Sequence, residues 1–353
     1  MIASQVKHLR QEVAVFEQTS LKKSLIQIFN TIVPLMALWL AAYASLSVSY
    51  WLALPFIAAA AGFFVRTFII FHDCCHQSFF KSRRANDWVG AVTGVLTHIP
   101  YRQWKQEHSV HHATSGNLSK RGTGDIWILT VKEYAAASFW MRLCYRLYRN
   151  PFVMFGLGPI AIFLIKYRFN RKGAPRKERI NTWITSLLIV AVYALLCQLI
   201  GWQALLAIQG PIFMLSGMVG IWLFYVQHQF EDSYFESSKE WDYVSAAVGG
   251  SSYYKLPRLL QWSTGNIGLH HVHHLNAKVP NYYLEQAHLA SPLLQTATTI
   301  TLWSSLKALQ FKLWDETGKT LVSFKTAKPL IRGIRAGRTG LPHSAGTVRQ
   351  TAS

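Results

Sequence analysis

From residue 24 to 65, and again from 180 to 230, the chain carries no Asp, Glu, Lys or Arg. A helix that crosses a bilayer needs about 20 mostly apolar residues. Each uncharged stretch is therefore long enough for two crossings and a short turn. The expected fold class is an all-α integral membrane protein with four transmembrane helices, near residues 26–47, 50–70, 182–200 and 204–226. The turns at 47–49 and 201–203 are uncharged as well, so every charged residue lies on one side of the membrane or close to it. Arg66, late in the second span, is expected to reach that side by snorkelling.

Composition supports a membrane protein. Hydrophobic residues make up 51% and charged residues 15%, against about 25% charged in soluble domains. Lys and Arg number 36 against 16 Asp and Glu, a net charge of +20. In a chain with four spans such an excess reports topology rather than a nucleic-acid partner: basic residues collect at the cytoplasmic face, against anionic lipid headgroups. Both termini and the charged segments are thus expected in the cytoplasm, in a multi-pass protein of the cell's cytoplasmic membrane. The polar residues 1–23 give no sign of a cleavable signal peptide. Cys74, Cys75, Cys144 and Cys197 form no C-x-x-C pair and are expected to be free thiols.

The stretch 89–100 is too short to span. The stretch 151–167, with Gly156, Gly158 and Pro159, is marginal. A crossing there would carry residues 270–274 to the far side from residues 72–112, so it is expected to be interfacial or re-entrant. Residues 1–316 then form one membrane domain with a cytoplasmic helical cap from 71–179 and 227–316. Residues 317–353 read as a basic, mobile tail.

The cap is rich in histidine. His72 and His76 frame one cluster, His108, His111 and His112 a second, and His270, His271, His273 and His274 a third, while His228 follows the fourth span. On a helix, positions four apart share a face, so His72 and His76 can point into one cavity. In an H-x-x-H-H segment the first and fourth residues share a face and the fifth is offset by about 100°, so one segment can reach two metals. Imidazole suits Fe, Cu, Ni and Zn. The candidate metal ligands are His72, His76, His108, His111, His112, His228, His270, His273 and His274, as a dinuclear redox site beside lipid. Asp73, Glu107, Glu231, Asp232 and Asp242 are candidates to orient the rings. Of the other histidines, His8 and His343 read as surface residues, His98 and His288 carry no assignment, and His271 lies outside the H-x-x-H-H register. No catalytic residue beyond the metal ligands and no organic-cofactor site is expected.

The segment His72-Asp73-Cys74-Cys75-His76-Gln77-Ser78, the clusters 108–112 and 270–274, and the stretches Lys120–Asp125 and Val279–Tyr282 resemble the membrane fatty acid desaturases, in particular the bacterial branch acting on phospholipids. The resemblance runs from about residue 25 to 316. It implies a non-haem diiron centre, O₂ as co-substrate and removal of two vicinal hydrogens from the acyl chain of a membrane lipid, with a histidine after the last span, here His228, completing the ligands. The chain lacks the His-Pro-Gly-Gly motif of a fused cytochrome b5 domain, so electrons are expected from a separate carrier with its reductase, a ferredoxin or a cytochrome b5 type. An acidic carrier would be steered to a basic face.

Two other readings compete. A hydroxylase or ketolase on the same diiron scaffold differs only in product, and the Asp73-Cys74 pair favours the desaturase. A metal transporter or storage protein would place ionisable residues within the bilayer, which both uncharged hairpins lack.

Overall fold

The computed structural model describes residues 3–337. Fourteen α-helices follow one another: α1 (Ala3–Ala14), α2 (Leu21–Ser45), α3 (Tyr50–Cys75), α4 (Arg83–Leu96), α5 (Tyr101–Thr114), α6 (Val131–Ala136), α7 (Phe139–Tyr148), α8 (Arg176–Ile200), α9 (Trp202–His228), α10 (Tyr243–Gly249), α11 (Arg258–Ser263), α12 (His270–Leu275), α13 (Leu284–Ala290) and α14 (Phe324–Arg335). Short strands join distant parts of the cap. β1 (Leu129–Thr130) pairs parallel with β4 (Leu313–Asp315), which pairs antiparallel with β5 (Thr320–Val322). β2 (Tyr253–Lys255) pairs parallel with β3 (Thr299–Thr301).

Four helices, α2, α3, α8 and α9, are long and apolar enough to cross a membrane. Only 6% of the apolar window of α8 is buried within the protein. Leu187, Val190, Leu195 and Leu199 stand exposed on it, a surface that lipid covers and water would not tolerate. Between α2 and α3 the contact is made by small residues, Ala42, Ala53, Ala60 and Ala61, with Leu35 and Ile57. Small side chains let membrane helices approach closely where no hydrophobic force drives them together. Ser20 caps α2 through the Lys23 N–H, and Ser49 caps α3 through the Trp51 N–H.

All four helices run past their expected bounds on the cap side, α2 and α8 at their starts and α3 and α9 at their ends. At about 1.5 Å per residue, α3, with 26 residues, is about 39 Å long. That exceeds the bilayer's hydrocarbon by about 9 Å, so its last turns stand in the cap and carry His72 with them. α4 is fitted against these turns by Gly94, where an added Cβ would meet the Ile99 carbonyl at 2.5 Å and the Phe71 ring at 3.1 Å.

Arg66 does not snorkel to water. It is buried, donates from Nε to Thr31 Oγ1 at 3.1 Å and from Nη1 to the Trp262 carbonyl, and lies 4.0 Å from the Trp262 ring. Its charge is met by the cap helix α11 and that ring, so no solvent path is needed.

The stretch at 151–167 forms two π-helical turns, Phe152–Leu157 and Ile160–Ile165. It is bent by 65° from α7. Both ends are tied to the cap. Arg149 donates to Gln229 Oε1 at 2.8 Å, and Lys166 pairs with Glu107 at 2.7 Å.

Residues 317–337 depart from the expected mobile tail. β5 closes the sheet, Leu321 and Val322 are buried, and α14 packs on α6 through Ala327. The basic composition of α14 hid its apolar stripe. Residues 338–353 of that tail lie outside the described residues.

Candidate metal centre

Four elements deliver the nine histidines proposed from the sequence. The end of α3 presents His72, and the residue that ends that helix is His76 (φ −78°, ψ −4°). α5 presents His108, His111 and His112; α9 ends on His228; and α12 presents His270, His273 and His274. All nine fall into two groups. His72, His76, His108, His112 and His273 form one, and His111, His228, His270 and His274 the other. Within each, one nitrogen per ring lies within 4.8 Å of the rest.

The ring nitrogens meet at distances that a metal would set. His72 Nε2 and His112 Nε2 each lie 3.1 Å from His108 Nε2, and His273 Nε2 lies 3.0 Å from His112 Nε2. In the second group His228 Nε2 lies 3.3 Å from His111 Nε2 and 3.0 Å from His270 Nε2. Two ligand nitrogens about 2.1 Å from one ion stand about 3.0 to 3.4 Å apart across an octahedral or tetrahedral angle. His76 Nε2 and His274 Nε2 are buried with no hydrogen-bond partner, a costly condition for a polar atom unless something binds it. Burial holds the imidazolium pKa values of His76, His108, His112, His270, His273 and His274 well below the ordinary range, and neighbouring rings lower them further. These rings are neutral at pH 7, with a lone pair free for coordination. The donor set thus fits two metal ions.

The opposite ring nitrogens are held from behind. Asp73 Oδ1 meets His72 Nδ1 at 3.1 Å, while its Oδ2 accepts from the Asn281 backbone and side chain at 2.7 and 2.8 Å. Asp125 Oδ1 meets His111 Nδ1 at 2.6 Å, and His228 Nδ1 meets the Gly250 carbonyl at 3.0 Å. Such partners fix ring orientation and choose the nitrogen that coordinates.

Of the five acidic candidates, only Asp73 meets a site histidine this way. Glu107 pairs with Lys166, Asp242 caps α10 through Ser245, and Glu231 and Asp232 are exposed. Asp125 and Asn281 were missed as partners, although both lie in the quoted stretches 120–125 and 279–282. His271 points away from the centre and sets its Nε2 3.0 Å from His288 Nδ1. His98 meets the Tyr193 hydroxyl at 2.8 Å, His8 pairs with Glu12, and His343 lies outside the described residues.

A largely apolar cavity of about 430 Å³ lies between α3, α9 and the π-helical segment. His72, His108 and His270 stand in its wall at the cap end, and Phe64, Phe163 and Phe213 line its membrane end.

The comparisons with known proteins agree with this geometry. The model of the fatty acid desaturase family matches residues 22–300. A protein named fatty acid desaturase from Bacillus subtilis (strain 168) is 62% identical over 93% of this chain and 93% of its own. The chloroplastic omega-6 fatty acid desaturase of Spinacia oleracea is 28% identical over 67% of this chain and 53% of its own. The sn-1 acyl-lipid omega-3 desaturase (ferredoxin) of Synechocystis sp. is 26% identical, over 62% of each chain. With its membrane helices and histidine-rich centre, the chain belongs to the fatty acid desaturase family, in its bacterial branch.

Proposed function

We propose that the protein is an O₂-dependent desaturase of the acyl chains of membrane lipids, with two non-haem irons held by the nine histidines. The observation that carries this reading is the apolar cavity whose cap end is walled by His72, His108 and His270. When bound, such irons supply the oxidation of an unactivated methylene pair: two hydrogens leave neighbouring carbons, and O₂ with two electrons and two protons becomes two waters. The chain's own residues do the rest. Phe64, Phe163 and Phe213 line the far end of the cavity and keep it dry. Asp73, Asp125 and the Gly250 carbonyl hold the imidazoles in place.

The excess of basic residues outside the spans supports an inner-membrane protein with its cap and both termini on the cytoplasmic side. Reductant then arrives from water while the acyl chain enters from lipid. A small acidic carrier of the ferredoxin type suits a chain of net charge +20, and one relative carries ferredoxin in its name. A cytochrome b5 type is the alternative donor. Expression in a host without such enzymes, followed by lipid profiling with double-bond localisation, tests the function. New mono-unsaturated acyl chains are expected. Hydroxylated or keto acyl products instead would assign the chain to an oxygenase on the same scaffold.

A further inference from the structure

On α9 the cavity wall includes Phe213, Gly217, Gly220, Phe224 and Gln227 at helical spacing, flanked by Ser216, Ile221 and Leu223. At about 1.5 Å per residue, Gly220 stands about 12 Å along the helix from His228, and Phe213 about 22 Å. The two glycines differ. A Cβ added at Gly217 would meet Pro159 Cβ at 2.8 Å, so that glycine serves the close approach of the π-helical segment. A Cβ added at Gly220 meets nothing within 4 Å. Packing does not require glycine at 220, and in a helix interior glycine costs about 1 kcal/mol relative to alanine. What its missing side chain leaves is cavity volume, on the membrane side of the metal centre.

We propose that Gly220 is a specificity-determining residue: the space it leaves sets how long an acyl tail fits beyond the centre. This rests on the desaturase reading above. A chain threaded through the cavity is placed by its head at the cap and its tail among the phenylalanines, so filling space at 220 shortens the accepted tail. An acyl tail carries no polar group for the wall to select, which leaves volume as the selector. One methylene more or less in an apolar pocket changes specificity by about 10- to 200-fold.

The test compares Gly220→Ala, Gly220→Leu and Gly62→Leu in the same expression host, with unsaturated products resolved by chain length. Gly62 lies on α3 outside the cavity wall, and a Cβ there also meets nothing within 4 Å. It controls for a new leucine in a span. Gly220→Leu is expected to lower the ratio of long-chain to shorter-chain products by about tenfold or more. Gly220→Ala should move it less in the same direction, and Gly62→Leu should leave it unchanged. An unchanged ratio in Gly220→Leu at normal protein level overturns the proposal, as does an equal shift in Gly62→Leu. If Gly220→Leu fails to accumulate, Gly220→Ala decides, and an unchanged ratio there overturns it. Failure of the unsubstituted chain to make any unsaturated product would instead defeat the functional reading, and is scored separately.

Discussion

Asp125 and Asp73 each aim one imidazole, and they do so from different kinds of support. Asp73 is next in sequence to His72, and Asn281 holds its other oxygen. Asp125 sits on a loop 14 residues from His111 and also accepts from the Gly122 N–H at 3.1 Å. Asp125→Asn is expected to lower iron affinity or turnover by about 10- to 100-fold, the usual cost of losing such a partner. Iron titration of the purified variant checks it. Alanine at His111 should abolish activity at normal protein level, whereas His8→Ala should be silent, because His8 is an exposed residue paired with Glu12. At this scale eight of the nine converging histidines were legible because their spacing follows helix geometry, and His228 because it follows the fourth span. Asp125 as a ring partner was not, because a loop and not a period brings it to His111. His271 was ambiguous for the opposite reason: it sits among the site histidines in sequence, yet the helical turn of about 100° per residue sends it toward His288.

Among the elements, the uncharged runs located all four membrane helices, with ends set by the caps Ser20 and Ser49 rather than by hydropathy. The π-helical pair was legible only as a marginal apolar stretch, since nothing in its composition distinguishes π from α winding. Its anchors at Arg149 and Lys166 lead to a topology test. Cysteines at Asn150 and Lys172 should be labelled from the same face of the membrane as Lys120→Cys and Lys278→Cys. Labelling of either from the opposite face would show a crossing. The strands of two or three residues are too short to register as alternation. They were missed, and so was the order beyond Thr317. Removing residues 317–353 takes away the buried Leu321 and Val322 of β5. Each buried aliphatic side chain contributes about 1.5–3 kcal/mol. The truncated chain should therefore lose more than about 3 kcal/mol, read as a lowered unfolding temperature in detergent. An unchanged temperature would mean that this segment does not hold the cap together.

As a whole, the molecule is a bundle of four apolar helices with a polar centre at one end, reached by a helix about two turns longer than the bilayer's hydrocarbon. The four spans were readable from residue order alone, but the turns of α3 beyond residue 70 were not, because the apolar run ends before the helix does. The shape of the cavity was not, because it depends on how α9 and the π-helical segment pack. On this account the centre sits where an external carrier delivers electrons. The purified chain should not desaturate with NADPH and O₂ alone, and turnover with an acidic carrier should weaken as salt shortens the Debye length below about 8–10 Å. Turnover on NADPH alone would reveal a redox module outside this account. The most direct test of the central claim is the iron content of the active, purified chain. The account predicts two irons per chain, with a loss in His111→Ala that parallels the loss of activity. Full desaturation by a chain holding one iron or none would contradict it.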